Sequence, residues 1–198
     1  YSDCTVTVTD TASNSVTLNM SSFTVDTTAP FVSSFTLSDY KLKTDETATV
    51  TLVFSEAVSS FSSDANITVA NGTLAAMTSN DNKTWAGIFT PTANTENAST
   101  TLSLDTSYTD TAGNTGIAGT SSSYVVDTKG PSVSSLQLSD GVTTISTFTD
   151  RCIPVTSNIM VTFSEAMETS YITTSTSDTN CAGSILVSSD NFSSCVRM

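Results

Sequence analysis

The amino-acid sequence predicts an all-β protein made of tandem β-sandwich modules. Three observations support this fold class. Thr, Ser and Val dominate the 198 residues and charged residues make up only 13%, a composition that suits sheets and contains few good helix formers. Short segments alternate between apolar and polar residues, and a set of motifs recurs about 100 residues apart.

The clearest strand is TATVTLVFS, residues 47–55. Within it, Ala48, Val50, Leu52 and Phe54 occupy alternate positions. A period of two is typical of a strand that turns one face toward the core. We therefore expect these four side chains to be buried.

Three further segments show the same period. Their predicted inward residues are Trp85, Gly87 and Phe89 in KTWAGIF, Leu102 and Leu104 in TLSLD, and Tyr124 and Val126 in SYVVD. Turn-forming sequences separate the segments: ANG at 70–72, SNDNK at 79–83 and DTAGN at 110–114. About seven strands in ~100 residues is the pattern of an immunoglobulin-like sandwich.

An internal repeat defines the domain organisation. VDTTAP (25–30) returns as VDTKGP (126–131), and TDTASN precedes the first copy as TDTAGN precedes the second. FVSSFTLSD and SVSSLQLSD follow the two copies, and each is followed in turn by Phe-Ser-Glu-Ala. We predict three segments: the last strands (F and G) of a preceding module at 1–27, a complete module at 28–128, and the first part of a related module at 129–198, incomplete or completed by a neighbour.

The charge balance argues against several function classes. The net charge is −13, with six scattered cations and no histidine. Nucleic-acid binding needs clustered Lys and Arg, which this chain lacks. A Ser-His or Cys-His catalytic relay has no histidine to use, and the acidic residues fall in turns and linkers without an aromatic cleft, so we predict that the chain is not an enzyme. No apolar run approaches the ~20 residues of a membrane span.

The repeat places acidic and amide side chains at one pole of the complete module. In a seven-strand sandwich, the B–C and F–G loops lie at the end where the chain enters. The candidate ligands there are Asp26 in the linker, Glu56 in the B–C turn, and Asp110 and Asn114 in the F–G loop. Ca²⁺ prefers such oxygen ligands. The alternative is that these residues only form turns.

The same positions recur at the neighbouring joints. Asp127 and Glu165 would serve the next joint, with its F–G contribution expected beyond residue 198, and Asp10 and Asn14 would serve the module before. The predicted cofactor at these joints is Ca²⁺.

The four cysteines point to disulfides rather than to zinc, because histidine and a CxxC pair are both absent. Cys181 and Cys195 flank a predicted strand–turn–strand and are expected to clip it. Cys4 and Cys152 belong to different modules. Either each pairs within its own module along a longer polypeptide, which we favour, or they pair between head-to-tail neighbouring chains.

The order of motifs from VDTTAP through TLSD, ATVTLVFSEAV, ITVANGTL and TWAGIFTPTAN to TDTAGN resembles the bacterial Ig-like repeats of large surface adhesins and matrix proteins. It covers nearly all of residues 26–127, and the tail from IMVTFSEAM onward is similar to a related bacterial Ig-like family that also occurs in surface-layer proteins. The resemblance implies an extracellular structural module whose joints bind Ca²⁺.

The leading functional hypothesis is a spacer segment of an extracellular bacterial surface protein, such as an adhesin stalk or a matrix protein. Its expected partners are neighbouring Ig-like modules of the same or an identical chain. The alternative is a polymerising subunit of an extracellular filament or surface layer, completed by strand addition between chains. A module that binds glycan or a host surface through its loops ranks third, because the turns are short and polar.

Overall fold

The computed structural model describes residues 4–139, 144–145, 157–175 and 181–187. The chain divides into two compact units, residues 1–129 and 130–198. The segment predicted to end a preceding module, residues 1–27, falls within the first unit. Cys152 and Cys195 lie outside the described residues.

Unit one contains fourteen of the described strands and one short helix, in the order β1 Thr5–Thr9, β2 Ser15–Asn19, β3 Val32–Leu37, β4 Lys41–Leu42, β5 Ala48–Phe54, β6 Val58–Ser59, α1 Ser63–Asn66, β7 Ile67–Thr68, β8 Gly72–Leu74, β9 Thr84–Pro91, β10 Glu96–Thr100, β11 Ser103–Leu104, β12 Thr109–Asp110, β13 Gly119–Thr120 and β14 Tyr124–Asp127. Unit two contributes β15 Val133–Ser139, β16 Thr144–Ile145, β17 Asn158–Phe163 and a 3-10 turn at Thr169–Tyr171. The predicted all-β class is confirmed.

The first layer of the sandwich is a four-stranded antiparallel sheet in the order β3–β5–β9–β8. Its central strand β5 buries every second residue, which confirms the predicted period of two. On β9, Phe89 is fully buried and Trp85 packs half-buried against the core. Phe35 and Leu37 add the apolar face of β3 to the same surface.

The second layer consists of shorter strands in three small sheets: β10–β14–β4, β13–β11–β7 and β12–β6. The predicted inward residues Leu102, Leu104, Tyr124 and Val126 are buried here. Aromatic rings also pack within this core. Phe54 of β5 contacts Tyr108 in a tilted arrangement, with ring centroids 4.9 Å apart. Edge and tilted contacts of this kind stabilise a core beyond the area they bury.

The hairpin β1–β2 is exposed along both strands. Asp10 closes its turn by accepting hydrogen bonds from the Ala12 N–H at 2.9 Å and the Asn14 N–H at 2.8 Å. Ser13 has a left-handed backbone, with φ of 68°. Asn and Asp side chains that bond nearby backbone are the ordinary means of building such a turn.

Replacing the central core residue Leu52 tests this packing. The variant Leu52→Ala is expected to lower the free energy of unfolding of unit one by about 2–5 kcal/mol, because it leaves a cavity under a fully buried position. Urea unfolding followed by the fluorescence of Trp85, the only tryptophan, reports on this unit. The matched control Leu18→Ala removes the same atoms from an exposed strand and should cost below about 0.5 kcal/mol. Equal losses in the two variants would contradict this core assignment.

Candidate functional site

Three carboxylates meet where the chain enters the complete module. Asp26 lies in the entry linker, Glu56 in the turn after β5, and Asp110 at the end of β12. One oxygen from each lies within 4.8 Å of the other two. Asp26 is exposed, Glu56 half-buried and Asp110 buried. Among the described residues this is the one place where three such ligands converge.

The pairing of β6 with β12 brings Glu56 close to Asp110. Val58 lies opposite Asp110 in this antiparallel ladder, although the two residues are far apart in the sequence. The Ser59 hydroxyl donates a 2.7 Å hydrogen bond to the Asp110 carbonyl. The turn that carries Glu56 precedes β6 directly, so this ladder holds the turn against the F–G loop.

Hydrogen bonds hold the entry linker on the same surface. The Pro30 carbonyl accepts a hydrogen bond from the Ile117 N–H at 3.0 Å, and the Tyr108 hydroxyl oxygen lies 3.3 Å from it. That hydroxyl makes its shorter hydrogen bond, 2.7 Å, to the Ile117 carbonyl. The linker that carries Asp26 is therefore held directly against the module.

Asn114 connects two of the three carboxylate residues. Its side-chain N–H₂ group donates to an Asp110 carboxylate oxygen at 2.7 Å and to the Asp26 backbone carbonyl at 3.2 Å. These are the contacts of a positioning donor. The role predicted for Asn114, an oxygen ligand to Ca²⁺, stays a prediction.

This environment shifts the pKa values of Asp110 and Glu56 in opposite directions. Burial acts to raise the pKa of Asp110, but hydrogen bonds from the Asn114 side chain and from the backbone of 112–114 outweigh it and hold that pKa below its ordinary value. Desolvation, followed by repulsion from Asp26 and Asp110, raises the pKa of Glu56, and Lys83 opposes this in part. The ion pairs found among the described residues, Lys43–Glu46 and Lys129–Glu96, do not involve the three carboxylates.

The turn of the β1–β2 hairpin repeats half of this arrangement. Asp10 and Asn14 exchange the same backbone and side-chain hydrogen bonds as Asp110 and Asn114. The Asn14 side chain in particular lowers the pKa of Asp10. No carboxylates equivalent to Asp26 and Glu56 join Asp10 in a three-ligand group within the described residues.

The remaining predicted site residues lie in separate places. Asp127 is exposed at the end of β14 in unit one, and Glu165 is half-buried after β17 in unit two. Cys4 is a free thiol. Cys181 is disulfide-bonded, and its predicted partner Cys195 lies outside the described residues, as does Cys152.

Two residues that position the site were not identified from the sequence: Tyr108 and Ser59. Tyr108 precedes the TDTAGN motif as Val8 precedes TDTASN, so the repeat marks it as an apolar position but not as an anchor for the linker. Ser59 stands among many serines, and no local pattern distinguishes it. Its role depends on a strand pairing that joins distant parts of the chain.

The fold and the site together define a class: a β-sandwich module whose entry linker, B–C turn and F–G loop each bring one carboxylate to the same point. A family model described as a bacterial Ig-like domain matches residues 26–126, about half of the chain. The chain belongs to this family. Neither a curated protein nor a solved structure matches it. Within the described residues, none of the helices has the length and apolar character needed to cross a membrane.

Glu56 predicts a pH dependence of stability. Its folded-state pKa lies above the ordinary 4.5, so its favourable contribution is present below that value and is lost as pH rises through the folded pKa. In chelator, Glu56→Gln should therefore become more stable relative to the native chain between pH 4 and pH 7. Urea unfolding at both pH values measures this difference.

The control for this experiment is Asp45→Asn, which removes one charge from an exposed turn of the same unit. Its stability relative to the native chain should change less between the two pH values than that of Glu56→Gln. A Glu56→Gln variant that loses relative stability toward pH 7 would contradict the raised pKa.

Proposed function

We propose that this chain is a spacer segment of an extracellular bacterial surface protein, an adhesin stalk or matrix protein, and that calcium braces the entry to its complete module. The observation that carries the proposal is the convergence of the linker residue Asp26 with the loop residues Glu56 and Asp110. Membership in the bacterial Ig-like family supports a module of surface proteins. The partners proposed here are neighbouring Ig-like modules, not nucleic acid.

A spacer must transmit force through its linkers, and the contacts of the entry linker are compatible with this role. Asp26 accepts a hydrogen bond from the Thr28 N–H at 3.0 Å, which folds the linker back on itself. Phe31 and Ser55 then exchange two hydrogen bonds: Ser55 N–H donates to the Phe31 carbonyl at 2.8 Å, and Phe31 N–H donates to the Ser55 hydroxyl at 3.1 Å. Pro30 is fully buried and has a restricted φ angle. These contacts limit bending at the linker even without a cation.

The ligand set suits calcium better than the other common ions. Carboxylate and carbonyl oxygens are hard ligands that Ca²⁺ accepts in flexible geometry at roughly 2.3–2.6 Å, so two ligands on one ion can stand up to about 5 Å apart. The separations within 4.8 Å among Asp26, Glu56 and Asp110 are compatible with a shared cation. Zinc would favour His or Cys ligands, and these are absent from the group.

Electrostatics supply the expected driving force. Desolvation, and after it repulsion from Asp26 and Asp110, raises the pKa of Glu56, so the negative charge of Glu56 acts against the folded state at neutral pH. A divalent cation would remove this repulsion and would join the linker to two loops of the module. Binding that occurs only in the folded state adds to its stability.

We propose a non-catalytic role for the same arrangement. The three carboxylates connect structural segments, and the aromatic residues near them, Tyr108 and Phe54, are buried in the core rather than lining a substrate cleft. A repeated module of this kind extends a rod without adding new chemistry.

Calcium should raise the midpoint of thermal unfolding of this chain. At a hundredfold excess over its dissociation constant, a ligand specific to the folded state adds about 2.7 kcal/mol. Calorimetry in excess Ca²⁺, excess Mg²⁺ and excess chelator at one ionic strength separates specific binding from general screening. The midpoint temperature is expected to be highest in calcium, lower in magnesium and lowest in chelator.

The variants Glu56→Gln and Asp26→Asn should lose most of the calcium response, and Asp45→Asn should keep it. Asp110 is a poorer test position, since its hydrogen bonds also shape the F–G loop. An unchanged midpoint in calcium would mean that the carboxylates serve only as turn formers. An equal response in all variants would place the cation elsewhere.

A further inference from the structure

The described sheet of unit two copies a sheet of unit one. Strands β15 and β17 pair as β3 and β5 do: Leu136 lies opposite Val161 as Phe35 lies opposite Leu52. Both pairs are interrupted at the same place, next to the first valine of β15 or of β3. Even the flanking hydrogen bonds recur, with the Ser164 N–H donating to the Ser132 carbonyl at 2.8 Å. The two sheets are built to be covered in the same way.

The degree of burial differs sharply between the copies. Leu136 is 42% exposed where its counterpart Phe35 is 5% exposed. Ile159 is 37% exposed where Val50 is fully buried. As the described residues define it, this face of unit two lines an apolar groove of about 670 Å³. The groove walls carry Leu138, Val161, Phe163 and Ile172 in addition.

The complete module shows which chain segment closes this surface. There, Tyr108, Tyr124 and Val126 join the same buried core as Phe35, Val50, Leu52 and Phe54. Tyr108 directly precedes the TDTAGN motif, and Tyr124 and Val126 belong to β14, which runs into VDTKGP. Without that segment, the sheet of unit one would expose the same apolar face.

The chain carries a second copy of this closing segment at residues 4–25. TDTASN occupies the turn of β1–β2, and Val8 and Val25 stand where the complete module has Tyr108 and Val126. Val8 is 63% exposed and Val25 is 60% exposed, whereas Tyr108 and Val126 are fully buried. At these two positions the copy is apolar like the core segment, but its side chains are exposed.

The β1–β2 hairpin is also amphipathic, with one apolar face and one polar face. The cross-strand pairs Val6–Leu18 and Val8–Val16 place four apolar side chains on one face. The other face carries hydroxyl and amide side chains, among them Thr7 and Thr17, whose hydroxyl groups are 2.8 Å apart. All four apolar residues of the first face are exposed. Four neighbouring exposed apolar side chains form a patch of the kind found at interaction sites.

We propose that residues 4–25 of one copy of this chain dock, with the apolar face of the β1–β2 hairpin, in the apolar groove of unit two of a second copy. The repeat identifies the occupant, because residues 4–25 are the counterpart of the segment that closes the equivalent sheet within unit one. Because each copy carries one hairpin and one groove, the contact is head-to-tail and adds further copies instead of stopping at a dimer. This inference goes beyond the spacer role and does not depend on the carboxylate site.

The native chain should therefore self-associate in a concentration-dependent manner. Sedimentation velocity over a hundredfold range of concentration should show a ladder of species beyond the dimer. The net charge of −13 opposes association, so raising the ionic strength with sodium chloride should shift the distribution toward larger species. A chain that remains monomeric at every concentration and salt level overturns the proposal, whether its groove is closed by its own hairpin or by other residues of the same chain.

Two double variants distinguish the effect of disrupting the apolar face from the effect of added charge alone. Val8→Asp with Leu18→Asp places two carboxylates on the apolar face and should weaken association at least about tenfold. Thr5→Asp with Thr17→Asp adds the same charges to the opposite face and should weaken it far less. Both double variants alter exposed strands, so Trp85 fluorescence should report an unchanged core. Equal weakening by the two variants would contradict docking through the apolar face.

A peptide of residues 4–25 supplies a second measurement. When it is added in excess to the native chain, the peptide should occupy the groove and dissociate the larger species into monomers with bound peptide. The same peptide carrying the Val8 and Leu18 substitutions should leave the size distribution unchanged. Dissociation by both peptides, or by neither, would overturn the assignment of the hairpin as the occupant.

Discussion

The packing of Tyr108 against Phe54 is the contact on which the rest of unit one depends. The ring of Tyr108 closes the core over β5, and its hydroxyl reaches the backbone of Ile117 and lies next to that of Pro30. One side chain thus joins the first sheet, the F–G loop and the entry linker. Because Asp110 lies two residues after Tyr108, this contact also fixes the position of Asp110.

The carboxylate site is a consequence of the same arrangement. The β6–β12 ladder and the Tyr108 anchor bring together three segments that are remote in sequence, and each segment carries one of the three acidic side chains. Hydrogen bonds from Asn114 satisfy Asp110, whereas desolvation and repulsion still disfavour the charge of Glu56, and Lys83 opposes them only in part. The site therefore combines a hydrogen-bonded carboxylate, Asp110, with one whose charge is disfavoured, Glu56, and the proposed divalent cation would relieve that charge.

Unit two shows what the same sheet looks like when the closing segment does not cover it. The pairing of β15 with β17 forms with the register of β3 with β5, so strand pairing does not require the covering layer. What the covering layer supplies is burial, which provides most of the free energy of folding. The exposed face of the hairpin and the exposed face of this sheet are both apolar, and the internal repeat relates each of them to a part of unit one.

The sequence by itself determined the all-β class, the alternation within the strands and the repeat, because these depend on the residue types at neighbouring positions. Leu52 and Tyr124 were identified as core residues from period two alone. Residues 26, 56 and 110 were expected at one pole from the order of the strands. Only the tertiary structure decided that their oxygens meet, that Asn114 acts there as a donor, and that Ser59 and Tyr108 hold the parts together. The hydrogen bonds of Ser59 and Asn114 join residues 51 and 88 positions apart, and a local pattern contains no information about pairings over such distances.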